Sequence, residues 1–573
     1  MSVHIQAAID AGSHGSSARR GSAWSAVAAS VVVGTILLVT LGGYLASYRL
    51  DLEDYSHVWF SSAPYTPLSQ WSTWFTEGYS DYFVNYPEWH GGGYALARPL
   101  MNLLVHAQGA LPAVLGEARY LIVNYLALLG AVAVLVLLLG QLTELSPTQR
   151  MVAGVAFGLS PVWHQALYWP SLGTNAVALV FSLLGMWVLD LPSARPRANR
   201  LALSALFLVL AVMSHETAVI VPFVCVALYV ARERSWRPVL RLWPLLSAPL
   251  VLAVERALMT TSDGVYALDF TAYGLFLRLV RVLAAPFVPF DAMPMVLWER
   301  PASLVGALPL VSVVIANLLI WVMLVAAARR RVSSLSGLEG DPWRSWLWLL
   351  IALTVSLVPA VMMRGEPRSM GVSFAVSLLM AGVVSRGRQS LRWLVLVVVL
   401  ASSVALYAHG VLGTLPSQVD RVTLSGELFD EARAGIAAEE PDYVVLVNDR
   451  AAYYSGMAML RMVAWPRRDL ELIVVNGYEG PPAPDAEFDA VVENGVLEVR
   501  VNLGEGQRVR FDGAEPDFTV PNNGFVYRGL DETDDAWAGR FVATRQIDGK
   551  RALVIGVDPR TGEPIEPMVL VGQ

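Results

Sequence analysis

The sequence predicts an α-helical polytopic membrane protein of about eleven transmembrane helices that ends in a soluble α+β domain. Three observations lead there. The composition is 55% hydrophobic and only 16% charged, with a mean hydropathy of +0.50, which departs from ordinary soluble proteins. Apolar runs long enough to span a bilayer recur over the first 410 positions. After about Thr414 those runs give way to short strand-like stretches separated by Gly, Pro, Asn and Asp, the pattern of a water-soluble fold.

The predicted spans are roughly 24–47, 118–140, 150–168, 172–190, 200–213, 216–231, 242–259, 302–328, 343–363, 369–385 and 391–411. Several fall short of about 20 residues, as tilted or partial helices do. The first follows Arg19 and Arg20 and is too long for a signal-peptide core, so it reads as a retained helix. Residues 1–22 read as a disordered cytoplasmic tail. The net charge of −7 names no partner, and no Lys/Arg-rich tract indicates nucleic acid. One cysteine, Cys225, in an apolar run excludes intrachain disulfides and thiolate metal sites.

Arginine bias orients the bundle. Arg19 and Arg20, Arg195 to Arg200, Arg232 to Arg241, Arg329 to Arg331, and Arg386 to Arg392 all fall on one side if the spans alternate. That side is expected to be the cytoplasm. The other face then collects residues 50–117, the His164–Trp169 turn, Ser214-His215-Glu216, the 260–300 loop, Arg364–Arg368 and the C-terminal domain, 413–573. The expected home is a bacterial inner membrane. An enzyme acting at that outer face lacks ATP and nucleotide sugars, so its substrate has to arrive activated on a lipid.

The outer face carries the chemistry-bearing residues. Asp51, Glu53 and Asp54 close the first apolar run, and Arg98-Pro99-Leu100 returns a guanidinium to the same boundary. Between them the chain is dense in aromatic residues from Trp59 to Tyr94. These suit an interfacial belt or short surface helices that stack on sugar rings. His164, between Trp163 and Trp169, reads as an interfacial anchor or a ligand contact. Ser214-His215-Glu216-Thr217 separates two short apolar runs, where polar residues either cap a helix or line a wet cavity. Asp263, Asp269, Arg278, Arg281 and Asp291 mark the 260–300 loop as an amphipathic, lid-like segment. Arg364 and Arg368 flank a tight outer turn against the positive-inside tendency, which an anionic phosphate or a local pair with Glu366 would explain.

In the C-terminal domain a short helix is expected over 426–438 and a buried strand at Tyr443–Val447. Further strands are expected near 471–475, 489–492, 497–502, 507–511, 525–528, 540–546 and 552–557. The domain shows no catalytic motif, and reads as a binding or stabilising module.

Taken in order, Glu53-Asp54-Tyr55, Arg98-Pro99-Leu100, Ser214-His215-Glu216-Thr217-Ala218 with Pro222 following, and the Arg364–Arg368 turn resemble the GT-C-fold membrane glycosyltransferases. These include protein O-mannosyltransferase-like enzymes that use polyprenyl-phosphate sugars. The resemblance covers roughly residues 24–411, so 23–412 is expected to form the GT-C-like domain. His215-Glu216 stands where many members carry Lys-Glu or His-Glu; the histidine leaves the local charge dependent on pH.

The resemblance implies transfer of a hexose or pentose from a polyprenyl-phosphate donor to an acceptor hydroxyl, with inversion at the anomeric carbon. Such a reaction needs a base and a cation on the departing phosphate. Asp54 or Asp51 is the expected base, with Glu53 beside them. Arg98, Arg364 and Arg368 are the expected phosphate ligands, with His215, Glu216 and His164 at the substrate. As carboxylates at the end of a helix, the acids would carry a macrodipole penalty of about 0.3–1 kcal/mol. No cofactor is expected, although Glu53 and Asp54 could hold a divalent cation. The expected partners are the bilayer, the lipid-linked donor and an acceptor of unknown kind. A flippase or transporter of lipid-linked saccharides, a polymerase or ligase acting on them, and an envelope scaffold remain as alternatives.

Overall fold

The computed structural model describes residues 2–70, 98–258, 389–507 and 526–572, apart from short breaks within these ranges. The spans expected at 302–328, 343–363 and 369–385 and the 260–300 loop lie outside the described residues.

Helix α1 (Ser2–Ala46) is continuous and reaches back through the expected disordered tail, where Ala7, Ala8, Ala11 and Ala18 carry little helix cost. Four later helices fall within a few residues of expectation: α4 (Ile122–Leu142), α6 (Gly173–Leu189), α7 (Ala198–Ser214) and α11 (Gln389–His409). The span expected at 150–168 is instead a 12-residue helix, α5 (Pro147–Gly158). Ser146 and Gln149 form a capping box at its start, which satisfies two of the otherwise orphaned N–H groups. After it the chain folds back, and the Trp163 indole donates to the Phe157 carbonyl at 2.8 Å. Helix α8 (Ile220–Glu233) begins four residues later than expected, after a 3₁₀ turn over Glu216–Val219. The span at 242–259 is a 3₁₀ turn (Trp243–Leu246) leading into α10 (Ser247–Leu258), with the short α9 (Arg237–Arg241) before it.

Among the described residues, two stretches are long and apolar enough to cross a membrane, Ser22–Ala46 and Ile122–Gln141. Shorter apolar helices lie at Gly173–Leu189, Ala198–Ser214 and Trp243–Val254. The Ser22–Ala46 part of α1 is apolar on both faces: Ala29, Val33, Leu37 and Leu41 are buried, whereas Trp24, Val31, Leu38 and Val39 are exposed. Exposed apolar area on a helix already packed on its other face needs a cover other than water. Helices are joined by polar bonds as well as packing, with Ser30 Oγ donating to Leu129 O at 3.2 Å and Ser204 Oγ to Gly185 O at 2.8 Å, as in bilayer bundles.

The bundle has two distinct ends. At one, the Gln141 amide donates to Trp187 O at 3.3 Å and Arg200 pairs with Asp190. At the other, Tyr44 Oη donates to Tyr168 O at 3.1 Å, and Thr40 and Tyr407 hydroxyls meet at 2.5 Å, bringing the last turns of α1 and α11 together. Two further helices belong to this second end, α2 (Leu52–Ser61) and α3 (Pro99–Gly109), joined where Ser61 Oγ donates to Asn102 Oδ1 at 3.0 Å.

The C-terminal elements are α12 (Leu415–Glu439), β1 (Tyr443–Asp449), α13 (Tyr453–Ala464), β2 (Glu471–Asn476), β3 (Glu487–Glu493), β4 (Val496–Asn502), β5 (Val526–Thr533), β6 (Ala536–Gln546), β7 (Arg551–Gly556) and β8 (Met568–Val571). The helix expected at 426–438 therefore starts eleven positions earlier, and a strand expected at 507–511 lies almost wholly outside the described residues. One sheet has the order β2-β1-β7-β8, with β1 parallel to both neighbours and β8 antiparallel to β7. The other is antiparallel in the order β3-β4-β6-β5. Asn494 and Gly495, both at positive φ, turn β3 into β4, which is the geometry a two-residue hairpin requires.

The side-chain period of two divides the first sheet between two cores. Val445, Val447, Ile473 and Val554 face the second sheet together with Leu497, Val499 and Ala543. Val444, Leu446, Leu553 and Ile555 face the other way, into the same cluster as Leu428, Phe429 and the helices of the bundle. This explains why Tyr443–Val447 reads as a continuous apolar run: both faces are buried. The C-terminal layers are thus not a detached module but share a core with α1, α2 and α13.

Candidate functional site

Helix α1 ends at Ala46, and the chain passes through Tyr48–Leu50 before α2 begins at Leu52. Glu53 and Asp54 therefore lie in the first turn of a new helix, not at the C-terminus of the first one. This reverses the expected macrodipole penalty: a helix N-terminus favours carboxylates by about 0.3–1 kcal/mol. Asp54 is also fully buried, not water-facing, and Tyr48 Oη donates to its Oδ2 at 3.3 Å. Asp51 and the Glu53 side chain lie outside the described residues.

Arg98, at φ −128° and ψ 64°, lies outside the helical region directly before Pro99, the first residue of α3; contact with the following proline ring disfavours helical backbone there. His215 ends α7 in an extended conformation, and Glu216 opens the 3₁₀ turn that follows. Ser214 does not cap this turn; its hydroxyl donates back to Leu210 O at 2.8 Å. The kink aims His215 and Glu216 at Arg98, 117 and 118 positions earlier in the chain. Arg98 Nε donates to Glu216 Oε2 and Nη2 to Oε1, both at 3.3 Å, a two-point pair. Arg98 Nη2 also lies 3.3 Å from His215 Nε2, while His215 Nδ1 is 3.6 Å from Glu216 Oε1.

The protonation states follow from the donors. A guanidinium has no acceptor, so its contact with Nε2 is favourable only when that nitrogen is unprotonated. In the tautomer that accepts at Nε2, the ring proton lies on Nδ1 beside Glu216. Burial raises the Glu216 carboxyl, but the Arg98 charge, His215, the residue's own backbone N–H and the Arg98 hydrogen bond together outweigh it and hold the group well below the usual carboxylate range. Arg98 is the fixed cation of this group, and His215 beside it is fully buried.

Of the residues expected at the site, Arg98, His215 and Glu216 are brought together, and α2 connects them to Asp54 through Ser61 and Asn102. His164, Arg364 and Arg368 lie outside the described residues. Three residues that the sequence reading did not single out belong here. Tyr48 holds Asp54, and Arg49 pairs with Asp430 at 2.9 Å and lies 3.7 Å from Glu117. The Leu50 N–H also donates to the Glu117 carboxylate. Burial raises the Glu117 carboxyl above its ordinary value, with this bond and Arg49 acting against it. Among the described residues no group of three or more His, Cys, Asp or Glu side chains is placed to hold a metal ion.

No family model matches the chain and no curated protein matches it. Among solved structures it is similar to ArnT from Cupriavidus metallidurans in the apo state, at 16% identity and a TM-score of 0.44, covering 78% of this chain and 85% of that one. It is similar to the same protein bound to undecaprenyl phosphate, at 14% identity and a TM-score of 0.44 with the same coverage. A likeness at this level assigns neither a family nor a ligand to this chain.

Proposed function

We propose that the chain is a polytopic inner-membrane glycosyltransferase that moves a sugar from a polyprenyl-phosphate donor to an acceptor hydroxyl at the extracytoplasmic face. The observation that carries this reading is that a buried carboxylate, Asp54, and a part-buried, oriented guanidinium, Arg98, lie at the same end of the bundle, on helices joined by the Ser61–Asn102 bond. The end carrying Arg200 is the cytoplasmic one in this reading, and the C-terminal layers, which pack on α2, lie outside with Asp54.

Asp54 accepts the proton of the acceptor hydroxyl as its oxygen attacks the anomeric carbon. The bond from that carbon to the phosphate oxygen breaks, and the phosphate leaves with the electron pair. In-line displacement inverts the anomeric centre. Arg98 neutralises the charge that develops on the leaving phosphate. Glu216 and His215 hold the guanidinium in one orientation, so little reorganisation is left for the reaction itself. Tyr48 fixes the carboxylate and donates to its charged form.

The test uses the purified full-length chain in lipid nanodiscs. Synthetic undecaprenyl-phosphate hexose and undecaprenyl-phosphate pentose serve as donors, and membranes lacking this protein supply the acceptor. Released undecaprenyl phosphate is measured because it forms whatever the sugar or acceptor. Asp54→Asn is expected to lower turnover by about 10²–10⁴-fold while the protein stays folded. Undiminished turnover in that variant would remove the proposed base, and no release from either donor by the wild-type protein would remove the reaction.

A further inference from the structure

We infer that one turn of the C-terminal helix α12 positions Asp54: Phe429 grips Tyr55 and Asp430 grips Arg49, the residues that directly follow Asp54 and its partner Tyr48. The inference rests on the role proposed above for Asp54.

The register carries it. Tyr48 and Asp54 are hydrogen-bonded to each other across the break between α1 and α2. The next residue on each side of that break, Arg49 and Tyr55, is held by consecutive positions of α12. The Tyr55 and Phe429 rings stack with centroids 5.4 Å apart and planes 2° from parallel. Arg49 Nη2 donates to Asp430 Oδ1 at 2.9 Å and to Gly426 O at 3.4 Å. Gly426 is what lets the guanidinium come so close, since a Cβ there would stand 2.9 Å from Arg49 Cγ. Glu117 completes the hold, accepting from the Leu50 N–H inside the break.

No helix-breaking residue accounts for the break at residues 47–51. They contain no proline or glycine, and the helix could continue through them. Besides the Tyr48–Asp54 bond and Glu117, the break is held by Asp430, 381 positions further along the chain. Loosening that grip leaves the carboxylate in place but releases its direction, and directional error of about an ångström at a reacting group costs on the order of 10²-fold in rate. Neither Phe429 nor Asp430 contacts the reacting atoms; both are positioning residues.

The experiment compares Asp430→Asn, Asp430→Glu, Phe429→Leu and Gly426→Ala in the nanodisc assay. The pH dependence of kcat and hydrogen exchange over residues 52–61 are measured alongside. Asp430→Asn and Phe429→Leu are expected to lower kcat by about tenfold or more. Donor KM stays within about twofold, the acidic limb of the kcat profile shifts, and exchange in 52–61 rises. Asp430→Glu restores kcat. Gly426→Ala, which keeps every gripping side chain and only crowds Arg49, gives the same pattern more weakly and covers the case in which the other variants fail to fold. Unchanged kcat and pH limb in folded Asp430→Asn, Phe429→Leu or Gly426→Ala, with Asp54→Asn inactive, would overturn the positioning role alone. Full turnover in Asp54→Asn would instead overturn the base assignment.

Discussion

Two arginine–carboxylate pairs sit at the opposite ends of α7, and they are built differently. Arg200 and Asp190 are 39% and 32% exposed and lie ten positions apart in sequence. They close the turn between α6 and α7, where Asp190 takes a positive φ and the Tyr229 hydroxyl donates to its carbonyl. Arg98 and Glu216 are 14% and 11% exposed, come from distant parts of the chain and enclose a fully buried histidine. A half-exposed local pair contributes little to stability, because water and salt screen it. A buried pair assembled from afar is expensive to desolvate and is weak evidence for stability as such. The contrast separates a helix closure from a candidate site, although the residue types are the same.

The largest expected effect falls on Arg98. Arg98→Ala leaves Glu216 buried without its counter-charge, and is expected to destabilise the protein by about 3–5 kcal/mol. Arg98→Lys keeps the charge but loses the two-point geometry, so turnover should fall by about 10²-fold or more with a much smaller loss of stability. Full turnover in the Arg98→Lys enzyme would mean that any cation serves, and would blunt the comparison. Next comes Glu216→Gln, expected to cost about 2–5 kcal/mol in a chemical or thermal melt.

The same carboxyl sets a pH dependence with a definite sign. Its folded value is depressed from 4.5 to about 2, so its contribution is fully present above pH 4.5 and is lost as the pH falls toward 2. A melt of Glu216→Gln against pH should lack that acid loss. Glu117 has the opposite sign. Its value is raised above 4.5 by burial, so its contribution is present below 4.5 and is lost as the pH rises through the raised value; Glu117→Gln should flatten that part of the profile. The smallest effect is Arg200→Ala, at about 1 kcal/mol or less with turnover unchanged. A larger loss of turnover there would erase the distinction between the two ends.

Much of the site was legible because its residues stand out against an apolar background. Arg98 before a proline and His215-Glu216 between two apolar runs were singled out on polarity alone, and the structure joins them. What could not be read was the partner of each. Glu216 was expected at substrate, yet it faces Arg98, a pairing that only the bend at His215 creates. The break at 47–51 carries no proline or glycine, so the acids were placed on the wrong helix end. Strands β1, β4 and β7 were legible from their apolar runs. That β1 is parallel to β2 and β7, with α13 crossing between β1 and β2, was not, since pairing depends on the shared core. Tyr48, Arg49 and Glu117 beside the apolar boundary were a signal that could have been read as a polar cluster.

The Arg49–Asp430 contact also fixes an order of events. A chain made from its N-terminus has its first helices, Asp54 and Arg98 long before it has residues 429 and 430. Until that segment folds back, the bend that presents the carboxylate has the hold of Glu117 but not that of α12. A segment made late thus completes the hold on one made early.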